Sequence, residues 1–198
     1  KALCTNTTAD QLVAVGCGAL ISNTTGANNV AVGSLSLEGT TTGSDNTAAG
    51  PASGLSLTTG SNNLLLGHDA GRSNSPNTIT TGSDRIVLGN NSITNAYIRV
   101  DWTVTSDLRD KMNIEPISHG LDFVNQLNPI KFNFKKSREN ATSHGRKKYG
   151  FKAQDILALE GEDNVIIDNE DPNSLKYIGS HLVPVLVNAI KELKAEND

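Results

Sequence analysis

Residues 28–45 read NNVAVGSLSLEGTTTGSD and residues 44–62 read SDNTAAGPASGLSLTTGSN, and each is a copy of the same phrase. A short apolar run meets a glycine, small residues follow, and a Thr-Gly turn leads into polar Asn, Ser or Asp. Working outward, Gly16, Gly33, Gly50 and Gly67 stand 17 apart, and so do Gly26, Gly43 and Gly60. The next members, Gly89 and Gly82, come after 22, so the five extra residues predict a loop, placed at Ser73–Asn77 around Pro76.

Before the first glycine series lie Val13-Ala14-Val15, Val30-Ala31-Val32, Thr47-Ala48-Ala49, Leu64-Leu65-Leu66 and Ile86-Val87-Leu88. Runs of three are too short for helices and β-branched residues lead among them, so each predicts a short strand. Ala19, Ser36, Ser53 and Ala70 follow their glycines by three and are always small, as a close approach of backbones requires. A unit of this length closes one coil of two short strands and two glycine turns. Five coils stacked about 4.8 Å apart make a rod about 24 Å long. Such a coil encloses few apolar side chains, which favours several rods packing side by side.

The whole chain has 198 residues, of which 36% are hydrophobic and 4% aromatic, too little for one thick core. No apolar run approaches the roughly 20 residues of a membrane span and no signal peptide opens the chain; the start at Lys1 suggests a longer protein trimmed upstream. A net charge of −4 argues against a nucleic-acid partner. Residues 1–105 hold 4 basic and 6 acidic residues and 13 of the 18 glycines, whereas residues 106–198 hold 13 basic and 15 acidic residues. Two domains are expected, 1–105 and 106–198. Cys4 and Cys17 have no partners in metal-ligand spacing and read as free side chains, and neither a metal nor a cofactor is expected.

The repeats resemble the NTAVG-type units with TTG turns of phage tail fibres and of the heads of trimeric bacterial adhesins of the YadA type, over about residues 12–91. That resemblance implies a parallel β-roll assembled as a homotrimer, acting either as a plain spacer or as an adhesive surface. The Asn and Asp residues do not form a calcium-binding GGxGxD repeat.

Beyond the repeats, Ile98, Val100, Trp102 and Val104 alternate with Arg99, Asp101 and Thr103, predicting a strand with one buried face and Trp102 as a core anchor. Ile117, Leu121, Val124 and Leu127 fall at helical spacing until Asn128-Pro129 stops them, and Phe132 and Phe134 mark a strand. From His181, the residues Leu182, Leu186, Ala189, Ile190 and Leu193 recur at helical spacing, with Pro184 in the first turn. Residues 131–152 carry eight positive charges and one negative, and residues 155–171 seven negative and none positive; a basic hairpin against an acidic neighbour is expected, with a phosphate or glycan patch as the alternative.

Ser106-Asp107-Leu108-Arg109-Asp110-Lys111 resembles the SDxRxKxxI signature that opens the C-terminal intramolecular chaperone of phage tail spikes and fibres, the self-cleaving serine peptidase family of endosialidase tail spikes. GLDFVNQLNPIKFNF at 120–134, YGFKAQ at 149–154 and the tail from Leu175 resemble its later motifs, so the likeness spans nearly all of 106–198. It implies a mainly β, trimeric first half followed by an α+β chaperone ending in a helix. It further implies a virion tail protein made in the host bacterial cytoplasm, with a glycan receptor on the host surface and no membrane insertion. The alternative is a bacterial adhesin head with a noncleaving assembly domain; a glycan-degrading enzyme lacks a convincing carboxylate pair.

The resemblance assigns catalysis to Ser106 and Lys111, with the cut between Thr105 and Ser106. A serine hydroxyl needs a base, and lysine serves only when neutral. At the ordinary pKa of about 10.4 only about 0.04% of a lysine is neutral at pH 7, and lowering that pKa by about three units costs about 4 kcal/mol, which burial supplies. Five residues apart, the two side chains lie about 140° apart on a helix and about 16 Å apart on a strand. The segment therefore has to bend, or the lysine has to come from a neighbouring subunit. Asp107 and Arg109 read as an ion pair or cap, and His68, His119, His144 and His181 form no visible triad.

Overall fold

The computed structural model describes residues 1–73, 75–161 and 164–198. They divide into two compact units, residues 1–97 with 135–142, and residues 98–134 with 143–198.

The first unit is a parallel-sheet β-solenoid. Its strands β1 (Val13–Val15), β2 (Val30–Val32), β3 (Thr47–Ala49), β4 (Leu64–Leu66) and β5 (Ile86–Leu88) stack in chain order. Each pairs in parallel with the next, Val13 opposite Val30, Val30 opposite Thr47, Thr47 opposite Leu64 and Leu64 opposite Ile86. Two short strands per coil were expected, but among the described residues each coil has one. The other side is built of turns, where Leu20 and Leu37 take positive φ angles of 50°. A residue in that left-handed region leaves the extended ladder, so the chain turns there instead of pairing.

The middle residue of each strand points inward: Ala31, Ala48, Leu65 and Val87 are buried, together with Leu20, Leu37, Leu57 and Ile79 from the turns. Ala19, Ser36, Ser53 and Ala70 are fully buried, as their small size suggested. Glycine is required where coils touch. Gly16, Gly33 and Gly50 have φ of 128°, 136° and 133°, and a Cβ on Gly33 would lie 2.5 Å from the Gly50 carbonyl oxygen.

Polar side chains bridge the coils through the interior. Asn46 Nδ2 donates to Asn29 Oδ1 at 3.1 Å and to the Gly60 carbonyl at 2.9 Å, while Asn63 Nδ2 donates to Asn46 Oδ1 at 2.9 Å. Asn29, Asn46 and Asn63 are buried, so this ladder satisfies groups that would otherwise be costly inside. The corner residues Asn28, Asp45, Asn62 and Asp84 take φ of 56–61°, a conformation Asn and Asp tolerate better than most. The longer fourth coil departs at Gly71 and returns at Ile79, whose N–H donates to the Gly71 carbonyl at 2.9 Å. That excursion contains the expected Ser73–Asn77 loop, in which Asn74 lies outside the described residues.

The second unit holds helix α1 (Leu121–Gln126), α2 (Ala153–Glu160) and α3 (Leu182–Asn197), with strands β6 (Ile130–Lys135), β7 (Ser143–Gly150), β8 (Ile167–Asp168) and β9 (Lys176–Tyr177). β6 pairs with β7, and β8 pairs antiparallel with β9. Phe123, Ile156, Ile166, Ile167, Leu182 and Val185 form the core. Pro184 sits in the first turn of α3, where its missing N–H is harmless. Helix α1 begins at Leu121, later than the apolar spacing from Ile117 implied. Glu192 Oε2 of α3 accepts the Leu121 N–H at 2.6 Å, and Ile117 stays exposed. Glu160, buried at the end of α2, accepts the backbone N–H groups of Val165, Ile166 and Ile167 and so fixes the entry to β8.

Two expectations fail in one place. Residues Ile98–Val104 form no strand and bury no face, and Trp102 is 74% exposed instead of anchoring a core. An alternating segment folds as a strand only beside a neighbour that completes its ladder. Among the described residues no such neighbour lies alongside.

Candidate functional site

The segment from Ser106 bends through one 3-10 turn, Leu108–Asp110. Asp107 caps it from an extended conformation, its Oδ1 accepting the Arg109 N–H at 2.9 Å. The same carboxylate grips the Arg109 guanidinium, Oδ1 with Nε at 3.0 Å and Oδ2 with Nη2 at 2.6 Å. That side-chain bond, and then the backbone N–H, hold the Asp107 carboxyl below its ordinary pKa of 3.8, and the carboxylate raises the Arg109 guanidinium. The chain leaves the turn extended at Lys111, whose N–H donates to the Leu108 carbonyl at 3.2 Å.

This bend brings Lys111 Nζ to 2.7 Å from Ser106 Oγ. The two side chains that neither a helix nor a strand could join therefore meet within one chain, in hydrogen-bond reach for proton transfer. Both are exposed, as is every residue from 91 to 118. Asp107 and Arg109 make the ion pair and the cap expected of them.

The histidines stay apart. His119 stacks on Phe123 at 4.4 Å, His181 Nδ1 lies 2.7 Å from the Val165 carbonyl, and His68 Nδ1 contacts Asn90 at 3.1 Å. Cys4 and Cys17 are free and exposed. Among the described residues no group of His, Cys, Asp and Glu is arranged to hold a metal ion, and no helix is long and apolar enough to cross a membrane.

Sequence reasoning missed a cleft of about 340 Å³ beside α1, lined by His119, Asp122, Phe123, Gln126 and Glu192 among others. Glu192 of this lining caps α1, and Asn188 of α3 donates to the His119 carbonyl at 3.0 Å. A Cβ at Gly120 would meet the Glu192 carboxylate, the movable end of its side chain, so no residue of this cleft left a clear signal in the sequence. In the basic hairpin, Lys131 lies over the Tyr149 ring and Lys148 over the Phe134 ring, at 5.8 and 5.4 Å. Its junction with the acidic stretch shows a Lys152–Asp155 pair at 3.3 Å, while Glu162 and Asp163 of that stretch lie outside the described residues.

Residues 106–166 match the family described as chaperone of endosialidase, named as a peptidase family. The match begins at Ser106 and supports reading the C-terminal part as a chaperone domain. It ends before α3, so it is shorter than the likeness drawn from the motifs alone. No curated protein and no solved structure matches the chain.

Proposed function

We propose that this chain is the C-terminal part of a phage tail fibre or tail spike. In this reading a stalk of 17-residue β-roll units is followed by an intramolecular chaperone that assembles it as a homotrimer and then cuts itself free between Thr105 and Ser106. The observation that carries the reading is the 2.7 Å contact of Lys111 Nζ with Ser106 Oγ, at the first residue of the matched chaperone segment. Repeats of the YadA type and a glycan receptor on the host surface complete it.

The chemistry follows from the placement. Ser106 Oγ attacks the carbonyl carbon of Thr105 while its proton passes to a neutral Lys111 amine. The Thr105–Ser106 C–N bond breaks as the nitrogen takes that proton from the Lys111 ammonium and becomes the free α-amine of Ser106, and an ester joins Thr105 to Ser106 Oγ. Water then opens the ester to a Thr105 carboxylate and the restored hydroxyl.

Mass spectrometry of the freshly expressed chain tests this. The 20.9 kDa protein should resolve into two fragments meeting at Thr105 and Ser106, held together as a trimer in light scattering. Ser106→Ala and Lys111→Ala should remain whole yet trimeric. Lys111→Arg should also remain whole, because a guanidinium does not give up its proton near neutral pH. A monomeric mass, or cleavage that persists in Ser106→Ala, would refute the reading.

A further inference from the structure

Residues 130–134 and 143–152, which span β6 as far as Phe134, all of β7 and the two residues after it, carry five positive charges and no negative one. These are Lys131, Arg146, Lys147, Lys148 and Lys152. The acidic stretch 155–171 was expected to neutralise them, yet the two are joined only where Lys152 meets Asp155 at 3.3 Å. Glu160, Asp168 and Asp171 of that stretch serve their own surroundings. Glu160 is buried and holds three backbone N–H groups, Asp168 faces Lys176 at 3.5 Å, and Asp171 accepts the Asn173 N–H at 2.9 Å. Among the described residues, Lys131, Arg146, Lys147 and Lys148 make no ion pair. Four like charges on so short a hairpin repel one another and attract a polyanion.

The rings beside these cations narrow the choice of polyanion. Lys131 Nζ lies 5.8 Å from the centre of the Tyr149 ring and Lys148 Nζ 5.4 Å from that of Phe134. Tyr149 is 84% exposed and Phe134 56%. Strand alternation puts Lys147 on the face of Tyr149, and Arg146 on the face that Lys148 shares with Phe134. Each face of the hairpin therefore sets cations beside an exposed ring, and no third strand joins β6 and β7 among the described residues.

A ligand that fits both features offers anions at short intervals with flat π-faces between them. A phosphate draws a lysine ammonium off its ring, and the bared ring then stacks on a base. The Arg146 guanidinium takes phosphate oxygens two at a time. In a duplex the bases stack on one another and are closed to the rings, whereas a single strand leaves them open. An acidic polysaccharide supplies the anions but no π-face to replace the displaced ammonium.

We infer that the β6–β7 hairpin binds single-stranded nucleic acid, with Lys131, Arg146, Lys147 and Lys148 on phosphates and with Tyr149 and Phe134 stacked on bases. The net charge of −4, which argues against such a partner for the chain as a whole, includes acids already engaged with other groups, and a ligand meets the local surface. The inference makes no use of Ser106 or Lys111 and stands whether or not the chain cleaves.

Fluorescence anisotropy of a labelled oligothymidylate of about 12 nucleotides, titrated with the full-length protein, tests it. Binding in dilute buffer with a Kd of about 1–100 μM is expected, about tenfold tighter than for a duplex of the same length. The logarithm of the affinity should fall with the logarithm of the salt concentration at a slope of about −2, as for about three phosphates. Lys147→Ala should make that slope shallower by about 0.7, the share of one phosphate. Tyr149→Ala should weaken binding about tenfold and leave the slope unchanged, because it removes a stacking platform and no charge. Lys191→Ala, at an exposed position of α3, should change neither.

No binding in dilute buffer, equal or tighter binding of the duplex, or a Tyr149→Ala affinity equal to the parent's overturns the inference. A polygalacturonate fragment of matched charge that binds more tightly than the oligothymidylate would assign the hairpin to acidic glycans and overturn it too. The Tyr149 ring is exposed, so its removal spares the fold; should Lys147→Ala fail to fold, Tyr149→Ala and the salt slope of the parent decide.

Discussion

Strand β5 and the segment Ile98–Val104 are written alike, short and rich in β-branched residues, yet one is a strand and the other an exposed ribbon. Ile86–Leu88 has Leu64–Leu66 beside it in parallel register, and Val87 is buried in one core with Leu65 and Ile79. Ile98–Val104 has no such floor. The difference teaches that alternation is a demand for a partner, and that chain length between copies of a motif decides whether the same chain can meet it. In the solenoid the next copy arrives one coil later; after β5 no further copy follows.

The sharpest way to break this comparison is to remove the fit that lets one coil floor the next. Gly33→Ala places a methyl group against the Gly50 carbonyl at a φ of 136°, combining backbone strain with overpacking. It should cost about 3–5 kcal/mol, read as a loss of soluble, folded solenoid or a lowered denaturant midpoint. Asn46→Ala should come next. It leaves the Asn63 backbone N–H and the Gly60 carbonyl without their partner in the interior, while the Asn63 side-chain amide keeps the Gly82 carbonyl. About 2–4 kcal/mol is expected, measurable in the same unfolding experiment, with Asn62→Ala at the exposed corner costing less.

The exposed ribbon should respond more weakly. Just beyond it lies the Asp107–Arg109 clamp, where the Asp107 carboxyl sits below its ordinary pKa of 3.8 because of Arg109. For a depressed carboxyl the favourable contribution is present above the unfolded value and lost as pH falls through the lower folded one. The clamp should thus persist throughout the mildly acid and neutral range and open only below about pH 3.8. An NMR titration of the Asp107 carboxyl carbon checks this, and Arg109→Ala should bring the midpoint back up. Smallest of all, Trp102→Ala should change the stability of dilute single chains by less than about 0.5 kcal/mol, because its side chain has little to lose there. A larger loss in thermal unfolding would mean that the segment is held within its own chain after all.

Much of this molecule could be read along the chain because its determinants are local or periodic. A strand ladder whose members recur at 17 and 22 residues needs glycine wherever two coils touch, and a small residue three places on, so the register of β1 to β5 is legible in the sequence. Pro184 marked the first turn of α3, Asn128-Pro129 the end of α1, and Ser106 and Lys111 the candidate dyad. Tertiary structure alone decided that the dyad closes through a 3-10 turn pinned by Asp107 and Arg109, since spacing in a helix or strand forbade it. It alone decided which apolar stripe of α3 turns inward, because two stripes share one periodicity and packing against Phe123, Ile156, Ile166 and Ile167 chooses between them. The cap that Glu192 places on Leu121 reaches across 71 residues, and a contact of that range leaves no periodic trace in the sequence. Trp102 is the same lesson in reverse: its pattern asked for burial, and burial belongs to the partner that covers a residue rather than to the residue itself.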